Sequence, residues 1–252
     1  MARAASKKKP ARKGRTAAPR KRAAEQREGF TLRDVLRWAG RGGAAIAALF
    51  LAFVLLFAIV NPVMTPYMMA ESWRRGGVTR DWVRLEDIAP QMARSVVAAE
   101  DANFCLHWGF DMHQIRAAIE EGAGRGASTI TQQVVKNVFL WQGRSWPRKA
   151  LEALLTPVVE LVWTKRRILE VYLNVAETGP GVFGVQSAAE VYFKRPAAKL
   201  TEAQAGLIAA ALPDPKGRNP ARPSGYLTRR AGEIADGADT IRADGRAACF
   251  ED

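Results

Sequence analysis

Seventeen consecutive apolar residues, Ala44 to Val60 (AAIAALFLAFVLLFAIV), constrain this chain more than any other feature. No charged residue lies between Gly42 and Ala70. At a rise of about 1.5 Å per residue, roughly 20 helical residues cross a hydrocarbon layer about 30 Å thick. The run extended through Val63 and Met64 is long enough, and we expect one transmembrane helix over residues 43–66. A cleaved secretory signal has an apolar region of only about 7–15 residues behind a short basic start. Here about forty residues precede the run, and no small-x-small cleavage site closes it. The flanks set the direction: residues 21–43 carry six Lys/Arg and residues 61–80 carry three. Positive charge stays on the cytoplasmic side, so the N-terminus is expected there and the C-terminal bulk on the opposite face.

The net charge of +13 suggests nucleic acid until its distribution is seen. Residues 1–42 hold 14 Lys/Arg against Glu25, Glu28 and Asp34, a net of +11, while the remaining 210 residues carry only +2. The basicity belongs to one tail, so no nucleic-acid partner is expected. Residues 1–28 read as a solvated arm, attracted to anionic membrane lipids at about 1 kcal/mol per basic residue near the surface. Two cysteines, Cys105 and Cys249, are too few for a disulfide framework and have no zinc-ligand spacing. They are expected to be unpaired thiols, with a single bridge left open.

From about residue 80 the pattern is mainly α. Pro90 sits early in a segment whose Met92, Val96 and Val97 share one helical face. Thr129-x-x-Gln132 and Thr201-x-x-Gln204 each fit a capping box at a helix start. Ser145 and Pro147 open a long helix from about Arg148 to Trp163, and another follows from Arg166 to Leu173. Gly179-Pro180-Gly181 then breaks the chain.

Four polar clusters exceed what helix packing needs. Glu100-Asp101 follows the apolar VVAA and leads into Phe104, His107, Gly109 and Asp111. A carboxylate beside another charge in a half-apolar setting has a raised pKa and becomes a usable base near neutrality. Taken alone, the pair also reads as a solvated helix end. Gly126 to Asn137 brings Ser128, Thr129, Gln132, Gln133, Lys136 and Asn137 to a helix start, where free N–H groups attract anions. Its bland counterpart is an amphipathic helix with an ordinary cap. Arg144, Arg148 and Lys149 with Glu152 make a seat for a diphosphate. Lys165 to Asn174, with Arg166 and Glu170 at i,i+4, reads best as a salt-bridged structural helix.

These residues resemble the glycosyltransferase family 51 domain of bacterial cell-wall synthesis. Its EDxxFxxHxGxD pattern matches Glu100 to Asp111, GxSTITQQxxKN matches Gly126 to Asn137, RKxxE matches Arg148 to Glu152, and KxxILExYLN matches Lys165 to Asn174. The resemblance covers roughly residues 85–225. It implies a mainly α, lysozyme-like helical domain tethered by one N-terminal transmembrane helix. The organisation is then a basic cytoplasmic tail (1–42), the span (43–66), a juxtamembrane segment (67–84), the glycosyltransferase domain (85–225) and a C-terminal tail (226–252).

The chemistry implied is an inverting transfer that polymerises lipid II and releases undecaprenyl diphosphate. Glu100 is the expected base and Glu152 the second catalytic carboxylate. Asp101, Ser128, Thr129, Gln132, Gln133, Lys136, Asn137, Arg144, Arg148 and Lys149 are the expected substrate contacts. Partners are lipid II, the growing glycan strand, membrane lipids and other cell-wall synthesis or division proteins. No protein metal site is expected, although a divalent cation (Mg²⁺ or Mn²⁺) riding on the substrate diphosphate is compatible. The setting implied is the bacterial inner membrane with the catalytic domain in the periplasm. No Ser-x-x-Lys or Lys-Thr-Gly follows the domain, as expected of a monofunctional form without a transpeptidase. A lysozyme-like lytic transglycosylase or hydrolase is the alternative, and it leaves the cationic clusters without a use. The juxtamembrane Tyr67, Met68, Met69, Trp73 and Trp82 read equally as core or as lipid-facing surface.

Overall fold

The structure is a computed structural model that describes residues 31–122, 126–143 and 145–251. The basic arm over residues 1–28 and Arg144 therefore lie outside the described residues. By packing, the chain divides between Ile46 and Ala47.

Helix α1 (Leu32–Phe57) is long and apolar enough to cross a membrane. It starts ahead of residue 43 because nothing in Arg33 to Arg41 breaks a helix, and the Thr31 hydroxyl donates to the Asp34 carboxylate at 2.6 Å in its first turn. Its last turns belong to the second unit and are tied into it. The Trp163 indole N–H donates to the Val54 carbonyl (2.7 Å), and the Arg167 guanidinium donates to the carbonyls of Phe57 and Val60 (2.9–3.0 Å). A helix leaves its final carbonyls without intrahelical partners, and a cation there also opposes the negative end of the helix dipole. Phe50 of α1 stacks edge-on against Phe139 with ring centres 5.1 Å apart.

The rest of the second unit is helical around one core. Helix α2 (Pro66–Arg75) is capped by Thr65 and α3 (Pro90–Glu100) opens on a proline, as its missing N–H allows. Met92, Val96 and Val97 of α3 are fully buried, as their spacing predicts. Helices α4 (Met112–Glu121), α5 (Ile130–Phe139), α6 (Trp146–Val162) and α7 (Lys165–Val175) follow. Helix α5 packs on both α6 and α7. Beyond them come α8 (Val185–Phe193) and α9 (Glu202–Ala211). The capping boxes at Thr129 and Thr201 both form, each threonine hydroxyl and each glutamine side chain satisfying the other's backbone N–H. The juxtamembrane side chains divide: Met68 is core, Tyr67 and Trp82 are half-buried against it, and Met69 and Trp73 are exposed. Three very short strands, which the sequence pattern does not signal, form a sheet of order β1-β3-β2. In it β1 (Thr79–Arg80) runs parallel to β3 (Val182–Phe183), and β2 (Glu177–Gly179) antiparallel to it.

Two further findings differ from the sequence expectations. Residues 226–252, expected as a tail, contribute most of α10 (Gly225–Ala243) and α11 (Ala248–Glu251). Helix α10 packs on α3 and α9, and its approach depends on Gly206, where a Cβ would stand 2.6 Å from the Ala231 carbonyl oxygen. The two cysteines, expected as free thiols, form a disulfide. Folding α11 back against the one-turn helix Phe104–Leu106 brings residues 144 positions apart to a Cα separation of 5.6 Å, within the range a bridge requires. That proximity is tertiary and leaves no mark in the spacing of the cysteines.

Candidate active site

Glu100 is the last residue of α3, so its backbone is held by the helix while its side chain leaves at the rim. The Gln133 amide donates to Glu100 Oε2 at 2.7 Å, and the Tyr172 hydroxyl donates to Gln133 Oε1 at 3.2 Å. Burial pushes the Glu100 carboxyl above the usual carboxylate range; Asp101 adds to this, while Gln133, Lys136 and Arg230 act in the opposite direction. Desolvation penalises the charged form, so this is a carboxylate ready to take a proton. Tyr172, wholly buried, is raised far above the usual phenol range by burial first and by the neighbouring carboxylates second, and it stays a neutral donor.

Lys136 follows on α5, one helical turn from Gln132 and three residues from Gln133. Burial lowers its pKa, the charges of Glu152 and Glu100 raise it, and those of Arg148 and Lys149 lower it. One ammonium thus feels both carboxylates and both neighbouring cations. It makes no hydrogen bond among the described residues. Glu152 is almost fully buried and gives one oxygen to the Arg148 guanidinium and the other to the Lys149 ammonium. The Arg148 Nε–H donates to the Gly143 carbonyl at 2.8 Å, which fixes the plane of the guanidinium. Lys149 Nζ also donates to Ser128 Oγ at 3.0 Å, drawing the 126–129 strand of chain toward α6. A hollow of about 310 Å³ is lined by Glu100, Asp111, Gln114, Ser128 and Arg230. A second, of about 340 Å³, is lined by Gln133, Lys136, Asn137, Tyr172 and Lys216.

Several expected contact residues turn inward. Asp101 gives one oxygen to His107 Nε2 (2.8 Å) and accepts at the other from the Ile130 N–H (3.0 Å), joining the end of α3 to the start of α5. Thr129 and Gln132 cap each other, and the Thr129 hydroxyl also donates to the Gly109 carbonyl at 2.7 Å. Asn137 accepts from the Gln142 amide at 3.0 Å. Gly109 has φ +83°, and a Cβ there would stand 2.6 Å from Thr156 Cγ2 of α6, so the sharp approach of this loop needs glycine. Tyr172, Lys216 and Arg230 are parts of the site that sequence reasoning missed. Tyr172 lay in a motif read as structural, and Arg230 in a segment read as a tail.

Asp101, His107 and Asp111 bring ligand-type atoms within 4.8 Å of one another. Those atoms already serve one another and the local backbone, since Asp111 accepts from the Gln114 N–H and the Asn103 amide, both at 2.9 Å. The trio fits a hydrogen-bonded loop and does not fit the open carboxylate oxygens that Mg²⁺ or Mn²⁺ would need.

A helical domain that follows an apolar helix of membrane-spanning length, with a desolvated carboxylate beside a lysine and a carboxylate-bridged cation pair, fits one class: a group-transfer enzyme with a single-pass membrane anchor. The chain belongs to the transglycosylase family, whose sequence model matches residues 68–238. It is 61% identical over 214 residues to a biosynthetic peptidoglycan transglycosylase of Jannaschia sp. (strain CCS1), covering 85% of this chain and 90% of that protein. It is 47% identical over 222 residues to the protein of that name from Pectobacterium atrosepticum, covering 77% and 91%. For the Yersinia pestis (strain Pestoides F) protein the figures are 46% over 217 residues, covering 81% and 89%.

Proposed function

We propose that this enzyme polymerises peptidoglycan glycan from lipid II at the outer face of the bacterial inner membrane. The observation that carries the reading is the side-by-side placement of a base and a cation seat. Glu100, raised by burial, accepts from Gln133 and feels the charge of Lys136, and Lys136 in turn feels the Arg148–Glu152–Lys149 group. Glu100 takes the proton of the acceptor sugar hydroxyl as that oxygen attacks the anomeric carbon of the donor. The bond to the diphosphate breaks, and the charge that develops on the departing oxygen falls to Lys136, Arg148 and Lys149. Fixed cations in a partly dry cleft stabilise such charge without having to reorganise. Glu152 keeps the two outer cations from repelling each other and holds their geometry. The hollows on either side of the Glu100–Gln133 bond provide for two sugar units at once. Asp101, Thr129 and Gln132 serve by holding the loops, Ser128 stands exposed at the rim of the first hollow, and the buried Asn137 lines the second.

Three features support the location. Helix α1 anchors the chain, and the exposed Met69 and Trp73 lie close after it in the sequence. The outer face of α6, the helix that carries Arg148 and Glu152, exposes Leu154, Leu161 and Trp146. A disulfide persists in an oxidising compartment, outside the cytoplasm. Incubating the detergent-solubilised full chain with lipid II is expected to yield glycan polymer. Release of soluble fragments from finished wall, with no polymer from lipid II, would overturn the reading in favour of a lytic enzyme.

A further inference from the structure

The family match ends at residue 238, yet the residues beyond it are bound tightly to the elements that build the environment of Glu100. Arg246 donates to the Ala102 carbonyl at 3.0 Å, two residues after the base. Cys249 is bridged to Cys105 in the same loop. Glu251 accepts from Arg94 of α3 at 3.1 Å, and the Phe250 carbonyl accepts from Arg166 of α7 at 3.0 Å while the Phe250 ring is buried in the core. Helix α3 carries Glu100, α7 carries Tyr172, and the loop carries Asp101, whose carboxylate holds the first N–H of α5. All three supports of the base meet this terminal segment.

We propose that residues 244–251, closed by the Cys105–Cys249 bridge, are a clamp that positions the Glu100 loop for transfer, so that the turnover rate depends on the oxidation state of this pair. The cysteines are positioning residues: neither lines the hollow beside Glu100. Both are only half-buried, so a small reductant reaches them. Reduction adds two electrons and two protons to the bridge and gives two thiols, while an added dithiol loses the same and closes to its own disulfide. With the bridge open the loop loosens and water reaches the Glu100 carboxyl. The base is then both misplaced and less basic.

The inference rests on Glu100 acting as the base, and the test separates the two claims. Full-chain enzyme in detergent is assayed on lipid II as isolated, after dithiol treatment, after reoxidation, and as Cys249→Ser and Glu100→Gln. Thiol counting is expected to find no free thiol before reduction. Opening the bridge is expected to lower kcat roughly ten-fold with KM nearly unchanged, well inside the hundred-fold or so that an ångström of misplacement costs. The acidic limb of the kcat profile is expected to move to lower pH, and reoxidation to restore both. A purely structural staple would lower thermal stability and leave that limb in place. An unchanged kcat and acidic limb after verified reduction, or free thiols in the isolated protein, overturns the clamp. An active Glu100→Gln overturns the base instead. If Cys249→Ser does not fold, reduction of the folded wild type decides alone.

Discussion

Glu100 is held between opposing demands, and its substitution should separate stability from activity. Its carboxyl binds a proton more tightly in the folded chain than in the unfolded one. Where the folded state holds more protons, stability falls as pH rises from the ordinary carboxylate range through the elevated value. Glu100→Gln removes that loss. It is expected to be more heat-resistant than the wild type at neutral pH, with the two converging in acid, as calorimetry across pH would show. The same variant should lose about 10²–10⁴-fold in kcat, the usual contribution of a general base. Glu152 behaves differently. Glu152→Gln leaves the buried Arg148 without its counter-charge, and breaking a buried pair costs about 3–5 kcal/mol, so chemical denaturation should show a large loss together with lost turnover. Lys149, its side chain 41% exposed, should be replaceable by Ala with little change in stability, and the defect should appear in the kinetics of the lipid-linked donor.

At the scale of elements, local rules were readable and long-range ones were not. The caps at Thr129 and Thr201, the proline start of α3 and the buried face of Met92, Val96 and Val97 each depend on residues within a turn or two, and the sequence pattern shows them. The start of α1 at Leu32 escaped because an apolar run marks where lipid could lie and does not mark where a helix begins. The two-residue strands β1 and β3 pair across about a hundred residues and are too short to alternate. Within the site, motif spacing brought Glu100, Gln133, Lys136, Arg148, Lys149 and Glu152 to light. Tyr172 and Arg230 reach it only by the packing of α7 and α10. That packing is itself testable at Gly206, where Ala would overpack the α9–α10 seam; a loss of about 1–3 kcal/mol is expected on unfolding, with lower turnover because Arg230 sits on α10 and Glu100 on α3, which packs on both helices of the seam.

For the whole molecule, the anchor is more than a tether. The last turns of α1 lend their carbonyls to Trp163 and Arg167 and their rings to Phe139, so a chain beginning after residue 62 leaves a buried indole N–H without an acceptor and the Arg167 guanidinium with Glu170 alone. Each stranded donor costs about 1–3 kcal/mol, and the truncated domain should melt at a lower temperature even in detergent. The fold also dictates where a captured proton rests. Gln133 turns its oxygen to the Tyr172 phenol and its NH₂ to Glu100; rotating the amide would set its oxygen against the Glu100 carboxylate, acceptor against acceptor. Glu100 Oε2 is thereby occupied as an acceptor on every cycle. In the proposed reaction the hydrogen taken from a sugar therefore goes to Oε1, the oxygen that Gln133 leaves uncovered, and the direction of one amide decides which edge of the carboxylate meets the acceptor.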